Sequence, residues 1–251
     1  MRELILSDIT EMGSGQCIVG IERVGENAFR SVRPMPPIGY AWPAALGYER
    51  GDCVRFEDAP TAARPPHVED QNTHGLTIPV GDLDEDELVD LLQHAETCEN
   101  VQGLFGCELH SDQLGGNAWV PPGQASRSIC GCSYVNMRFR TFIDAGKVRL
   151  MAMLALTSGE VLHSLPIVDW AWRQFLAEVV RRSPHRPNRK DVDAFFNRNI
   201  RAQVMDSPLH FVRLGLPRPR QDENKCWLML DSLFPQPDAA WLEVGEVGAS
   251  V

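Results

Sequence analysis

From Tyr134 to Ile143 the chain alternates without a break: Val135, Met137, Phe139, Thr141 and Ile143 occupy one set of positions, and Tyr134, Asn136, Arg138, Arg140 and Phe142 the other. A period of two over ten residues is the pattern of a β-strand with two unlike faces. Lys147–Leu156 (KVRLMAMLAL) follows as a nearly all-apolar run, and Val161–Val168 as a third, separated by Thr157-Ser158-Gly159-Glu160. Polar and glycine residues between such runs mark strand ends. The second half of the chain is therefore expected to be organised by a sheet.

The first half carries the same kind of signal in shorter pieces. Glu3–Ser7, Gln16–Glu22, Ala28–Arg33 and Asp52–Glu57 are β-branched or aromatic runs, bounded by Gly13-Ser14-Gly15, Gly25-Glu26-Asn27, Pro34 to Pro37, and Gly51. Short strands with turn signals at this spacing read as a small barrel or sandwich. Val24 to Asn27 fits a hairpin connection.

Two segments switch to helical spacing. Over 84–96, Asp84 stands as N-cap, Glu85, Asp86 and Glu87 suit the positive helix end, and Leu88, Leu91, Leu92 and Ala95 form one apolar face. Over 169–182, Asp169 precedes Trp172, Phe175, Leu176, Val179 and Val180, with Arg181 and Arg182 at the end that favours cations. Trp172 fits the core stripe; Trp170 stands off it. A shorter helix is expected over Asp191–Arg201, closing strands over Leu209–Leu216 and Lys225–Leu233, and a linker or long loop over 111–127.

Charge divides the chain. Residues 1–120 hold 7 Lys+Arg against 21 Asp+Glu, a balance of −14, and residues 121–251 hold 17 against 13, a balance of +4, which together give the formal −10. Two domains with different surfaces are expected, 1–120 and 121–251, and only the second suits a polyanion. No run reaches the roughly 18 apolar residues of a membrane span. Residues 1–7 lack a basic end followed by a long apolar stretch. A cytoplasmic protein with no membrane partner is expected. Seven cysteines, an odd number, favour packed thiols over a disulfide framework. Cys130 and Cys132, with Cys98 and Cys107, could make four zinc ligands only if the fold gathers them.

Cys17-Ile18-Val19-Gly20, then Ser31-Val32-Arg33-Pro34, then His67-Val68-Glu69-Asp70, resemble in order the successive segments of the dual OB-containing domain of prokaryotic proteins. In the second half Val148–Leu156, Leu165 to Asp169 and Phe211 to Leu216 look similar to that family's later strands, so the resemblance covers about 1–80 and 133–234. It implies a mainly β chain with minor α, two OB-like β-barrels and helices at about 84–96 and 169–182. It also implies a setting in bacterial defence beside an effector protein encoded elsewhere.

Three groups of residues carry candidate chemistry. Arg33, His67, Glu69 and Asp70 form a candidate ligand site: His with carboxylates suits a divalent ion or proton transfer, and equally a stiffened surface turn whose carboxylates cap backbone N–H groups. Cys17 with His67 is the one thiol pairing that suggests a nucleophile, although a cysteine on a strand is more often core. Tyr134, Arg138, Arg140 and Phe142 offer aromatic planes and guanidinium groups for single-stranded nucleic acid, or an ordinary solvated face. Arg181, Arg182, His185, Arg186, Arg189 and Lys190 form the densest basic run, either a nucleic-acid groove or solvated surface. No phosphate-binding loop, dinucleotide fingerprint, HExxH or GxSxG pattern occurs. No cofactor is called for. The sequence favours a recognition module for nucleic acid or a nucleotide over two alternatives, a small metal- or thiol-dependent enzyme at the His67 loop and a protein-interaction scaffold.

Overall fold

The short N-terminal runs fold as β1 (Arg2–Met12), β2 (Gly15–Arg23), β3 (Phe29–Met35), β4 (Trp42–Pro43), β5 (Asp52–Asp58), β6 (Asp70–Leu76) and β7 (Gly81–Asp82). The structure is a computed structural model and describes residues 1–61, 63–98, 100–111, 116–144, 147–183, 188–219 and 224–243. Among the described residues no helix is long and apolar enough to cross a membrane.

β1 pairs antiparallel with β2 and with β5, β2 with β3, and β5 with β6, while β3 and β6 run parallel. Five strands thus form a closed circuit, β1-β2-β3-β6-β5-β1, with β4 and β7 as short additions. Leu4, Leu6, Ile9, Ile18, Val32, Val54 and Phe56 pack together within it. Gly20 has a steric reason: a Cβ there would lie 2.5 Å from the Ile5 carbonyl oxygen and from the Leu4 side chain.

Next comes α1 (Glu85–Glu96). The Asp84 side chain accepts from Glu87 N at 2.9 Å, and the Glu87 side chain accepts from Asp84 N at 3.1 Å. This reciprocal cap fixes the helix start that the sequence predicts. Its buried Leu88, Val89 and Leu92 pack with Ile21 of the first circuit and with Phe211 and Phe234 from near the C-terminus.

The rest comprises β8 (His110–Ser111), β9 (Ala118–Val120), β10 (Ile129–Asp144), β11 (Lys147–Leu156) and β12 (Val161–Pro166). Then follow α2 (Trp170–Arg182), α3 (Arg189–Phe195), a wider helical turn (Phe196–Ile200), α4 (Arg201–Asp206), β13 (Phe211–Gly215), β14 (Cys226–Trp227) and β15 (Met229–Phe234). The sheet order is β12-β11-β10-β13-β15. A parallel bridge from Ile167, just past β12, to Leu230 of β15 closes this set as well. Both circuits therefore share one order, first-second-third-fifth-fourth, with the third and fifth strands parallel. Overall the chain is mainly β with a helical minority.

Four local expectations are corrected. The alternation of β10 slips at its start: an irregularity in pairing between Tyr134 and Asn136 marks a β-bulge, so Val135 and Asn136 both face outward and Tyr134 is 1 % exposed. The stretch 111–127, expected as a linker, carries β9 and sends Ala118, Val120 and Ala125 into the larger core. Lys225–Leu233 is not one strand but β14 and β15, divided at Leu228, whose N–H turns to Ala118 O at 2.8 Å. The short helix expected over 191–201 begins at Arg189 and runs on to Asp206.

Beyond Ser133, β10 parts from β13 and exposes an edge, which helix side chains close. Asn197 accepts from Phe139 N at 3.0 Å and donates to Phe139 O at 2.8 Å, Asp193 accepts from Thr141 N at 2.5 Å, and Arg201 donates to Met137 O at 2.6 Å. An open strand edge invites pairing with another chain, and these groups prevent it. Asn197→Ala removes two such bonds and is expected to cost about 2 kcal/mol. A urea denaturation midpoint equal to that of the parent would refute this role.

The two circuits meet through buried polar contacts. Arg213 Nε lies 3.1 Å from Asp8 Oδ2, Arg50 Nη1 3.0 Å from Asp169 Oδ2, and Glu69 accepts from Ser128 N and Oγ, each at 2.8 Å.

Candidate nucleic-acid interface

The parallel pairing of β3 with β6 sets Arg33 opposite Asp70. Arg33 N donates to Glu69 O at 2.8 Å, and its Nε to Asp70 Oδ1 at 2.5 Å. The other carboxylate oxygen of Asp70 accepts from Arg218. Arg33, Glu69 and Asp70 are thus brought together, and both carboxylates have protein partners. His67 lies in the preceding turn, its N–H on Arg64 O at 2.8 Å. It is 3 % exposed, with neither ring nitrogen hydrogen-bonded among the described residues. Burial, then the charges of Arg33 and Arg218, pushes its pKa down to about 3, so it is neutral at pH 7. Burial raises the Cys17 thiol, which disfavours the thiolate that nucleophilic chemistry needs.

Cys130, Cys132 and Cys226 are buried in the larger core, with Cys98 and Cys107 packed against it. Cys130 Sγ lies 2.9 Å from Cys98 Sγ, and that contact, with burial, raises the Cys130 thiol. Burial pushes Cys132 up to about 12. Among the described residues no group of three or more His, Cys, Asp or Glu is placed to hold a metal ion.

The outward face of β10 and β11 differs. Arg138, Arg140 and Phe142 point to solvent and stand across from Met153, Met151 and Arg149. Phe142 is 52 % exposed. Tyr134, expected beside them as a stacking plane, is instead in the core, its hydroxyl donating to Phe234 O at 2.7 Å, because the bulge turns it inward. The basic run is also divided. Arg181 and Arg182 both pair with Glu178, Arg182 also with Glu243, and Arg189 lies 3.7 Å from Asp193. Arg181 and Arg182 belong to α2, which meets the inward side of β10 where Trp172 contacts Phe139 at 5.3 Å between ring centres. His185 and Arg186 lie outside the described residues.

At the end of the outward face is a recess of about 510 Å³ lined by Phe142, Arg149, Arg173, Arg218, Lys225 and Trp227, among others. Each cation arrives on a different element. Arg149 sits on β11 opposite Phe142, Arg173 on the first turn of α2, Arg218 after β13, and Lys225 just before β14. No carboxylate lines the recess among the described residues. Asp70 holds Arg218 and Glu11 lies 3.6 Å from Arg173, so the first circuit orients two of the four cations. Burial pushes the Arg173 pKa down against the opposing pull of Glu11, and the Arg149 charge adds a smaller lowering. Lys225 Nζ lies 4.6 Å from the Trp119 ring centre and 4.8 Å from that of Trp227. His110 stacks on Trp119 at 4.7 Å. The ribbon β8-β9-β14 thus carries an aromatic ladder to the wall of the recess.

Arg149, Arg173, Arg218, Lys225, Trp119 and Trp227 are absent from the sequence-based candidates. The one local signal is Arg149, a charge within an otherwise apolar strand. No family model, no curated protein and no solved structure matches the chain.

Proposed function

We propose that this protein is a non-enzymatic recognition module for single-stranded nucleic acid or a nucleotide, built in the manner of the dual OB-containing domain of two OB-like barrels, one on β1, β2, β3, β5 and β6 and the other on β10, β11, β12, β13 and β15. The shared strand order of the two circuits supports the barrels, since a five-stranded Greek-key barrel is the defining architecture of that fold. The observation that carries the functional reading is the recess of four cations and two aromatic rings. It lies on the second and third strands of the second circuit and beside the connection between its fourth and fifth, where OB barrels present oligonucleotide-binding surface. Guanidinium groups meet phosphates and aromatic planes stack on bases without regard to sequence. Arg138 and Arg140 extend the positive face along β10, and Arg33 and Asp70 act through Arg218. In a defence setting such a module would report bound nucleic acid to a partner effector.

Fluorescence anisotropy with a labelled single strand at two salt concentrations tests this. Affinity is expected to fall steeply with salt, and Arg138→Ala/Arg140→Ala to weaken binding and flatten the log–log slope by about 1.4, from about 0.7 per lost phosphate contact. Absence of binding at low salt, or binding indifferent to the double substitution, would transfer the reading to a protein-interaction scaffold.

A further inference from the structure

We propose that a second pocket, set where the first circuit meets the start of α2, takes the base of a nucleoside by its hydrogen-bonding edge. The inference rests on the recognition reading above for the class of ligand, and it adds a site that shares no lining residue with the recess. The pocket measures about 320 Å³, at the small end of the range of about 300–1,000 Å³ usual for small-ligand sites. Gln16, Tyr48, Glu49, Arg50, Asp169 and Trp170 stand in its wall. Contacts already made fix these positions. Gln16 of β2 stands across from Trp42 of β4, and Glu49 N donates to Asp52 Oδ2 at 2.8 Å. Asp169 bridges to Thr10 of β1 and caps α2, accepting from Ala171 N at 3.0 Å. The pocket is therefore shaped before any ligand arrives, which lowers the ordering cost of binding.

Two polar groups of this wall are left over. The Gln16 amide oxygen is buried without a hydrogen-bond partner among the described residues, on a residue 1 % exposed. So is Arg50 Nη2, on a side chain 3 % exposed. A buried acceptor and a buried donor each cost free energy when unmet, and a ligand that meets both recovers it. The rest of Arg50 is committed. Its Nη1 donates to Asp169 Oδ2 at 3.0 Å, and its guanidinium carbon lies 4.5 Å from the Phe234 ring centre. Asp169 is engaged as well, since Oδ2 also accepts from Leu233 N at 3.0 Å while Oδ1 caps the helix. The Arg50 charge is thus cancelled inside the wall, and exposed Glu49 adds a negative one. An anion is disfavoured there, whereas a neutral ring with a donor beside an acceptor matches the two leftover groups. A nucleobase edge presents that pair. Tyr48 and Trp170 bring aromatic surface against such a ring. Trp170, which stands off the core stripe of α2, is half-buried and held against the core of the first circuit.

Equilibrium dialysis of the full chain against uridine, cytidine, adenosine and guanosine, none of which carries a phosphate, tests this. At least one nucleoside is expected to bind, with an affinity that is the same at low and high salt because no phosphate is neutralised. Gln16→Leu and Arg50→Lys are each expected to weaken that binding about tenfold, as the loss of one hydrogen bond to a buried group does. Arg50→Lys keeps a cation beside Asp169, and Gln16→Leu leaves the Arg50–Asp169 pair untouched, so either variant decides the matter if the other fails to fold. No binding of any nucleoside at millimolar concentration, or binding unchanged in a folded variant, would overturn the pocket. Anisotropy of the labelled single strand on the same preparation separates the two readings. Strand binding without nucleoside binding would overturn the pocket and leave the recognition reading standing, and loss of both would overturn both.

Discussion

Arg213→Met is expected to destabilise the protein by about 3–5 kcal/mol, the usual consequence of removing one partner from a buried ion pair. The Arg213 and Asp8 side chains are 0 % and 1 % exposed. Arg213 donates through Nε to Asp8 and through Nη2 to Ser31 Oγ at 2.9 Å. Asp8 also accepts from Ser7 Oγ at 2.7 Å and Ser232 Oγ at 2.8 Å. Without the guanidinium the carboxylate keeps two hydroxyl donors in a medium where an uncompensated charge is costly. Because Asp8 belongs to the first circuit and Arg213 to the second, the loss falls on the seam between them. Equilibrium urea unfolding measures it, and the double variant Asp8→Asn/Arg213→Met is expected to recover part of the loss. A single variant within 1 kcal/mol of the parent would show that the seam is held by apolar packing alone.

The second large effect is a dependence on pH. Asp231 of β15 is buried, and one of its carboxylate oxygens would stand 2.0 Å from a Cβ at Gly215, so glycine is the residue that leaves it room. Burial, then the charges of Asp8 and, more weakly, Asp169, pushes its pKa up to about 8 against the opposing pull of Arg33 and Arg213. The group is thus mostly neutral in the fold at pH 7, while the unfolded chain loses that proton near pH 4. The unfolded state then binds fewer protons between about pH 4 and 8, and stability falls as pH rises through that window. At about 1.36 kcal/mol per unit, the span from pH 5 to 8 is worth on the order of 3–4 kcal/mol. His67 acts in the opposite sense. Its lowered pKa makes the fold lose stability as pH falls from about 6.5 toward 3, so the two slopes largely cancel below about pH 6.5 and the net loss with rising pH is expected between about pH 6.5 and 8. Asp231→Asn keeps the shape of the neutral acid and is expected to remove most of this slope, leaving the variant more stable than the parent at pH 8 and nearly equal to it at pH 5. Parallel stability–pH curves for parent and variant would show that Asp231 is ionised in the fold.

Much of the fold is legible in the sequence where the signal is local. KVRLMAMLAL is β11 from end to end, and the acidic caps at Asp84 and Asp169 precede α1 and α2 by one residue. The Arg33–Asp70 contact follows from segments that stand far apart in the chain but side by side in parallel strands. What escapes is what depends on register or convergence. A bulge adds one residue and reverses the face of everything before it, so Tyr134 is read as a stacking plane when it is core. Arg181 and Arg182 form the densest charge in the sequence, yet their helix places Glu178 within reach of both. The recess draws its cations from a strand, a helix and two connections, and no spacing in the sequence links Arg149 to Lys225. Trp119 lies in a stretch whose glycines and prolines signal a loop, and two-residue pairing with β14 brings it to the site.

The proposed function sets nucleic acid on the outward face of β10 and β11, beside the recess. Photocrosslinking of a single strand carrying photoreactive bases, followed by mass spectrometry of the adducts, tests it most directly. The account predicts adducts at Phe142, Met151 and Trp227, diminished in Arg138→Ala/Arg140→Ala. Adducts concentrated on the paired arginines of α2 or on the acidic first circuit, with Phe142 and Trp227 unmodified, would contradict it.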